Sequence, residues 1–188
     1  LKTDAIADRA HLRMGNERTI RRIRDRAITT EYGEFRLTAY RDQTAGDVHL
    51  ALSRGEISAH EPTLVRVHVQ SAMRDLVTTQ LSERPSWSLP ACLRAVAANG
   101  RGVIVLLAHN ERPEQLLASI DMALGEPHGG LGVTPDTYTT VGLGSQILKD
   151  LGVGKIRLMG APIKYNAISG FDLEVLEFVD PTALEPGQ

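Results

Sequence analysis

The run Val103-Ile104-Val105-Leu106-Leu107 is the strongest constraint this chain places on its own fold. Five consecutive aliphatic residues leave neither face of an extended segment for water, so the run reads as a central strand covered on both sides. Such a strand needs neighbours, and the sequence supplies them. Phe35-Arg36-Leu37-Thr38-Ala39-Tyr40 alternates with period two after the turn Tyr32-Gly33-Glu34. Val48 to Leu52 follows the turn Ala45-Gly46-Asp47, Thr63 to Val69 carries Leu64, Val65, Val67 and Val69, and Ile156 to Met159 and Leu173 to Val179 come late. Helical segments lie between them. Ala91 to Ala98 is stopped by Asn99-Gly100, Glu114 to Leu124 opens after Pro113, and Gly144 to Leu151 ends at Gly152. Thr137 to Val141 is a β-branched run set apart from that last helix. Pro85 and Pro90 bracket a loop around Trp87, Gly125 to Gly132 is a glycine-rich loop, and the tail after Pro181 is loose. Strands alternating with helices predict a layered α/β domain.

The start of the chain differs in character. Thr3 or Asp4 can cap a helix through about Arg26, with Ile6, Leu12, Ile20 and Ile23 as a patchy apolar face and Gly15-Asn16 as a candidate break into two. Residues 1–30 hold Lys2, Arg9, Arg13, Arg18, Arg21, Arg22, Arg24 and Arg26 against Asp4, Asp8, Glu17 and Asp25. A basic start of this kind can touch RNA or an acidic surface, and a solvated helix face is the plainer account. The net charge of −2 argues against nucleic-acid binding driven by overall charge. Aromatic residues make up only 4% of the chain, so aliphatic side chains must fill the core. No apolar stretch reaches transmembrane length, and the start is too polar for a signal peptide. The single cysteine, Cys92, excludes an internal disulfide, lies in the apolar run Ala91-Cys92-Leu93, and reads as core filler in a cytoplasmic protein. The chain begins at Leu1 rather than Met, which reads as a piece of a longer chain.

Generic motifs supply no activity. Gly142-Leu143-Gly144 precedes a helix, but Ile147 stands where the third glycine of a dinucleotide fingerprint belongs. There is no phosphate-loop G-x-x-x-x-G-K-[ST], no H-E-x-x-H and no G-x-S-x-G elbow. His49, His60, His68, His109 and His128 are scattered and read as hydrogen-bonded structural histidines.

The order of segments is more informative. Thr30-Glu31-Tyr32-Gly33-Glu34-Phe35-Arg36, His49-Leu50-Ala51-Leu52 with Gly55, and Leu64-Val65-Arg66-Val67-His68 together resemble the opening of GTP cyclohydrolase II. Gly100-Arg101-Gly102-Val103, Gly142-Leu143-Gly144-Ser145-Gln146-Ile147-Leu148 with Asp150-Leu151-Gly152-Val153, Ile156-Arg157-Leu158 and Gly170-Phe171 extend the likeness over about residues 28–180. The resemblance implies a single GTP cyclohydrolase II-like α/β domain, with a mixed sheet and flanking helices, over residues 29–180. Residues 1–28 would then be a basic helical linker and 181–188 a flexible tail. The family hydrolyses GTP in the first committed step of riboflavin synthesis, releasing formate and pyrophosphate and leaving a diaminopyrimidine. Zinc held by cysteines in the spacing C-x10-C-x-C activates the water that attacks the imidazole carbon.

On this chain the zinc-cysteine positions fall on Ser71, Ser82 and Arg84. A neutral hydroxyl is a poor zinc ligand and a guanidinium is repelled. Cys92 lies outside the spacing, and Glu83 and His68 are the donors left near the segment. The family's R-Q-E-G-R-x-I-G-L run falls on Ala108 to Leu116, where Arg112 and Leu116 survive but Glu111 and Gln115 replace two glycines. The D-x-R-D-Y motif falls on Asp136 to Thr140, so Asp136 matches the general base and Tyr138 replaces the arginine proposed to attack the α-phosphate. Lys164 survives from T-N-N-P-x-K, and Arg66 and His68 from the strand before the metal loop. Arg66, His68, Arg112 and Lys164 are thus vestigial ligand-binding candidates, each read more readily as structural. No catalytic residue and no metal ligand is assigned.

In bifunctional riboflavin proteins a dihydroxybutanone phosphate synthase domain precedes the cyclohydrolase domain. The joining segment resembles Thr3-Asp4-Ala5-Ile6-Ala7-Asp8 followed by Arg13 and Asn16-Glu17-Arg18-Thr19-Ile20. Trp87 and Asp75-Leu76-Val77, in place of the metal loop, are similar to a branch that has lost catalysis. The expectation is a zinc-free, non-catalytic domain partnered by an N-terminal synthase domain, in a homodimer, without nucleic acid or membrane. The rival expectations are an active GTP cyclohydrolase II with unusual ligands, and a phosphate- or nucleotide-binding module without turnover.

Overall fold

The computed structural model of the chain describes residues 18–77, 87–125, 137–160 and 172–181. Seven strands form one sheet: β1 (Ile20–Thr30), β2 (Gly33–Asp42), β3 (Val48–Arg54), β4 (Pro62–Val69), β5 (Gly102–Leu107), β6 (Lys155–Met159) and β7 (Glu174–Val179), in the order β1-β2-β3-β5-β4-β6-β7. Four helices accompany them: α1 (Ala72–Asp75), α2 (Leu89–Asn99), α3 (Pro113–Leu124) and α4 (Thr137–Asp150). β1 to β3 form an antiparallel meander, β3 pairs antiparallel with β5, and β5, β4, β6 and β7 run parallel to one another. The sheet is therefore mixed, as expected of a GTP cyclohydrolase II-like α/β domain.

β5 stands fourth of the seven strands and separates the two halves. Val103, Val105 and Leu107 pack on one face with Leu143, Ile147 and Leu148 of α4. Ile104 packs on the other with Cys92 and Val96 of α2 and with Trp87. Val103, Ile104 and Val105 are wholly buried, worth about 2 kcal/mol each relative to exposure. α2 begins at Ser88, whose hydroxyl accepts from the Ala91 amide, and ends at Gly100 with φ of 75°. Pro90 thus sits in the first turn of this helix rather than closing a loop, and Trp87 is buried with its indole Nε1–H donating to the Val179 carbonyl at 2.8 Å.

Three glycines let elements approach. A Cβ on Gly102 would lie 2.7 Å from Val96 Cγ2 and 2.8 Å from the Leu64 carbonyl oxygen. On Gly55, where φ is +74°, it would lie 2.5 Å from the Gly100 carbonyl oxygen. On Gly144 it would lie 3.1 Å from Val67, so α4 lies close against β4.

Two expectations are corrected. Residues 20–26 are not the end of a helix from Thr3 or Asp4; they open the eleven-residue strand β1. The register of β1 on β2 shifts between Arg22 and Arg24, so Ile20 reaches the α4 face while Ile28, eight residues on, reaches the α2 face. That bulge hides the period of two, and four arginines in the same stretch imitate a helical polar face. Residues 1–17, including Gly15-Asn16, lie outside the described residues. The β-branched run from Thr137 is not separate from the following helix; both belong to α4, which contains Gly142 and Gly144. The loop from Gly125 to Gly132 beyond its first residue, and the whole tail after Pro181, lie outside the described residues.

Candidate functional site

Open α/β sheets hold ligands beyond the carboxyl ends of their parallel strands. Here those ends belong to β4, β5 and β6, and side chains gather there on both faces. On the α2 face Leu64, Arg66 and His68 follow one another along β4. The Arg66 guanidinium donates to the Met159 carbonyl at the end of β6, at 2.8 Å. His68 is 1% exposed, and its Nε2 lies 2.8 Å from Asp75 Oδ1. Asp75 Oδ2 accepts from the Ser71 amide at 2.9 Å, and Glu111 Oε2 accepts from the Ala72 amide at 2.9 Å. Arg74 donates to the Val69 carbonyl beside them. Burial holds the His68 imidazole below its ordinary pKa even though the Asp75 charge pulls it up. The neutral ring therefore donates from Nε2 to Asp75, and Nδ1 is buried with no partner among the described residues.

On the α4 face a cavity of about 340 Å³ opens between the β2–β3 turn, the end of β5 and the first turns of α4. Asp42, Asp47, His49, His109, Arg112 and Thr140 are among its walls. His49 is buried, and its Nδ1 accepts from the Ala108 amide at 3.1 Å. That bond fixes the Nε2–H tautomer, and burial keeps the ring neutral by lowering its pKa against the pull of Asp42 and Asp47.

A sequence model described as GTP cyclohydrolase II matches residues 21–180. The chain belongs to the GTP cyclohydrolase II family. It is 48% identical over 179 residues to a 3,4-dihydroxy-2-butanone 4-phosphate synthase of Pseudomonas aeruginosa, covering 95% of this chain and 48% of that protein. It is 35% identical over 195 residues to the riboflavin biosynthesis protein RibBA of Chlorobium phaeovibrioides, covering 99% of this chain and 47% of that one. Among solved structures it is similar to RibBX, a two-domain 3,4-dihydroxy-2-butanone 4-phosphate synthase from A. baumannii, at 36% identity and a TM-score of 0.67 over 93% of this chain and 44% of that one. The chain thus spans about half the length of these relatives.

The GTP cyclohydrolase II positions now have places. Ser71, where the first zinc cysteine belongs, precedes α1, and its amide is held by Asp75. Ser82, Glu83 and Arg84 lie outside the described residues, as do Asp136 and Lys164. Tyr138 falls in the first turn of α4. Arg66 and His68 share the α2 face, whereas Arg112 lines the cavity on the α4 face, so these three candidates do not form one cluster.

Both glycine replacements in the R-Q-E-G-R-x-I-G-L run carry structural bonds. Glu111 holds the Ala72 amide, and Gln115 Oε1 accepts from the Arg112 amide at 2.9 Å. Among the described residues no three of His, Cys, Asp and Glu converge to hold a metal ion. Cys92 offers no thiolate: burial, against the pull of Arg66 and Arg74, pushes its thiol up to about 11. The described donors therefore do not fit the family's three-thiolate zinc site.

Sequence reading missed Asp75 as the partner of His68. The signal was a carboxylate seven residues beyond the histidine, across a segment whose path the sequence does not show. No helix among the described residues is long and apolar enough to cross a membrane.

Proposed function

We propose that this is a GTP cyclohydrolase II-like domain of a riboflavin-biosynthesis protein that does not itself hydrolyse GTP. It supports or regulates a dihydroxybutanone phosphate synthase half of the same protein, within a homodimer. The observation that carries this reading is the network at the end of β4. His68 and the Ser71 amide are both engaged by Asp75, and a serine hydroxyl stands where the first zinc thiolate belongs. Without a metal-bound hydroxide, neutral water is too weak a nucleophile for the imidazole carbon of GTP. The test is metal analysis of the purified full-length protein together with formate release from GTP, beside an active family member. Substoichiometric zinc and no formate are expected; one zinc per chain with formate release overturns the reading.

The cavity favours a second reading, a binding module without turnover. Arg112 and the His49-bearing wall can receive a phosphate or a flavin precursor. Calorimetry with GTP and pathway phosphates separates the two, since saturable binding that is lost in Arg112→Ala belongs only to the module.

A further inference from the structure

The α2 face of the meander carries a set of arginines that neither the fold nor the proposed site uses. In the β1–β2 register Arg21 pairs with Arg41, Arg24 with Ala39, Arg26 with Leu37 and Ile28 with Phe35. Directly paired residues share a face, and Phe35 and Leu37 pack in the α2-side core. Arg21, Arg24, Arg26 and Arg41 therefore project from that same face, and all four are exposed. Arg24 and Arg26 donate to the carbonyls of Ile23 and Asp25, their own neighbours. Among the described residues none of the four forms an ion pair. Of the acids near this hairpin, Asp25 pairs with Arg22 and Arg36, and Asp150 with Arg18 and Arg22.

Charging an edge strand protects it from pairing with other chains, and that explains arginine on β1. It does not explain Arg41, because β2 is paired on both sides. Nor does it explain Arg21 opposite Arg41, since like charges directly across a ladder oppose each other. This arrangement suits a face that meets an anion. A single-stranded nucleic acid would also want aromatic platforms, but Phe35 is buried and Tyr40 points to the α4 side. An acidic protein surface needs only the charges.

We infer that Arg21, Arg24, Arg26 and Arg41 form a docking face for an acidic surface of the synthase half of the parent protein. β1 follows directly on residues 1–19, so a domain joined through them is held beside this face at high effective concentration. The relatives, about twice as long as this chain, leave room for such a domain. The inference rests on the proposed reading that a synthase half is present.

The test is amide hydrogen exchange on the full-length protein, comparing the wild type with a variant carrying Arg21→Ser, Arg24→Ser, Arg26→Ser and Arg41→Ser. Each is compared between about 0.01 M and about 1 M salt, over which the Debye length falls from roughly 30 Å to roughly 3 Å. In the wild type at low salt, a patch of acidic peptides in the synthase half is expected to be protected. Exchange there should rise about tenfold or more in the variant and at high salt. A variant with all four changed to Lys should keep the protection, and unchanged exchange within β2 and β3 shows that the serine variant is folded. Equal exchange in the wild type and the serine variant overturns the inference. So does loss of RNA retention in the serine variant without any change in the synthase half. Neither result depends on zinc or formate, so the inference can fail while the proposed function stands.

Discussion

At the residue scale, Asp150 carries more than its position suggests. It is the last residue of α4, where a negative charge opposes the helix dipole by about 0.3–1 kcal/mol. Arg22 donates to it through Nε at 3.0 Å and Nη2 at 2.7 Å, Arg18 donates as well, and the buried Tyr40 hydroxyl donates at 2.9 Å. The bond from the buried Tyr40 hydroxyl to this charged acceptor contributes about 1.5–3 kcal/mol and the exposed arginine pairs up to about 1 kcal/mol each, so the contacts outweigh the dipole. Burial alone would push the Asp150 carboxyl up; the bonds from Arg22 and Tyr40 and the nearby arginine charges bring it below its ordinary value. Asp150→Ala should cost about 1–3 kcal/mol, because the Tyr40 hydroxyl is then left buried without its acceptor. Tyr40→Phe should cost about 1 kcal/mol. Urea denaturation midpoints of the two variants check both values and their order.

At the scale of elements, α2 and β5 fit closely at Gly102. Gly102→Ala drives a methyl into Val96 and into the Leu64 carbonyl, and the carbonyl cannot move without disturbing β4. A loss of about 2 kcal/mol or more is expected, and Val96→Ala in the same chain should recover part of it by removing the side-chain half of the clash. Thermal melts of the single and double variants measure that recovery.

The same elements show what the sequence could say. β5, β2 and α2 announce themselves through the aliphatic run at Val103, the alternation from Phe35 and the Asn99-Gly100 stop. β1 and α4 do not. A bulge at Ile23 reverses which face the following residues take, and Gly144, which lets α4 pack closely on β4, weakens the helical signal of α4. The candidate site was legible as a set of replacements at family positions. Its partners, Asp75 for His68 and Glu111 for Ala72, depend on how two loops cross in space, which spacing along the chain does not encode.

For the whole molecule, acid sensitivity follows from its buried histidines. His49 and His68 both have folded pKa values lowered by burial. A group lowered on folding contributes stability that is fully present above its unfolded value and is lost as pH falls through the folded one. Global stability should therefore decline below about pH 6.5, by up to about 1.4 kcal/mol per pH unit for each histidine. Asp150, also lowered, adds a second decline below about pH 3.9. Denaturation across pH checks the first window, and His49→Asn should flatten about half of it. If stability is level from pH 7 to pH 5, the neutral buried imidazoles are not as described.

The strand order also has a temporal side. β3 does not pair with the next strand made but with β5, whose first residue comes 48 positions after the end of β3. As the chain leaves the ribosome, the meander of β1, β2 and β3 can zip early through short turns. Its inner margin then stays open until β5 emerges, and β4 finds its slot only once β5 and β6 are there to receive it. For that interval the nascent protein exposes the ladder of Leu50 to Arg54, the segment most open to wrong pairing with another growing chain.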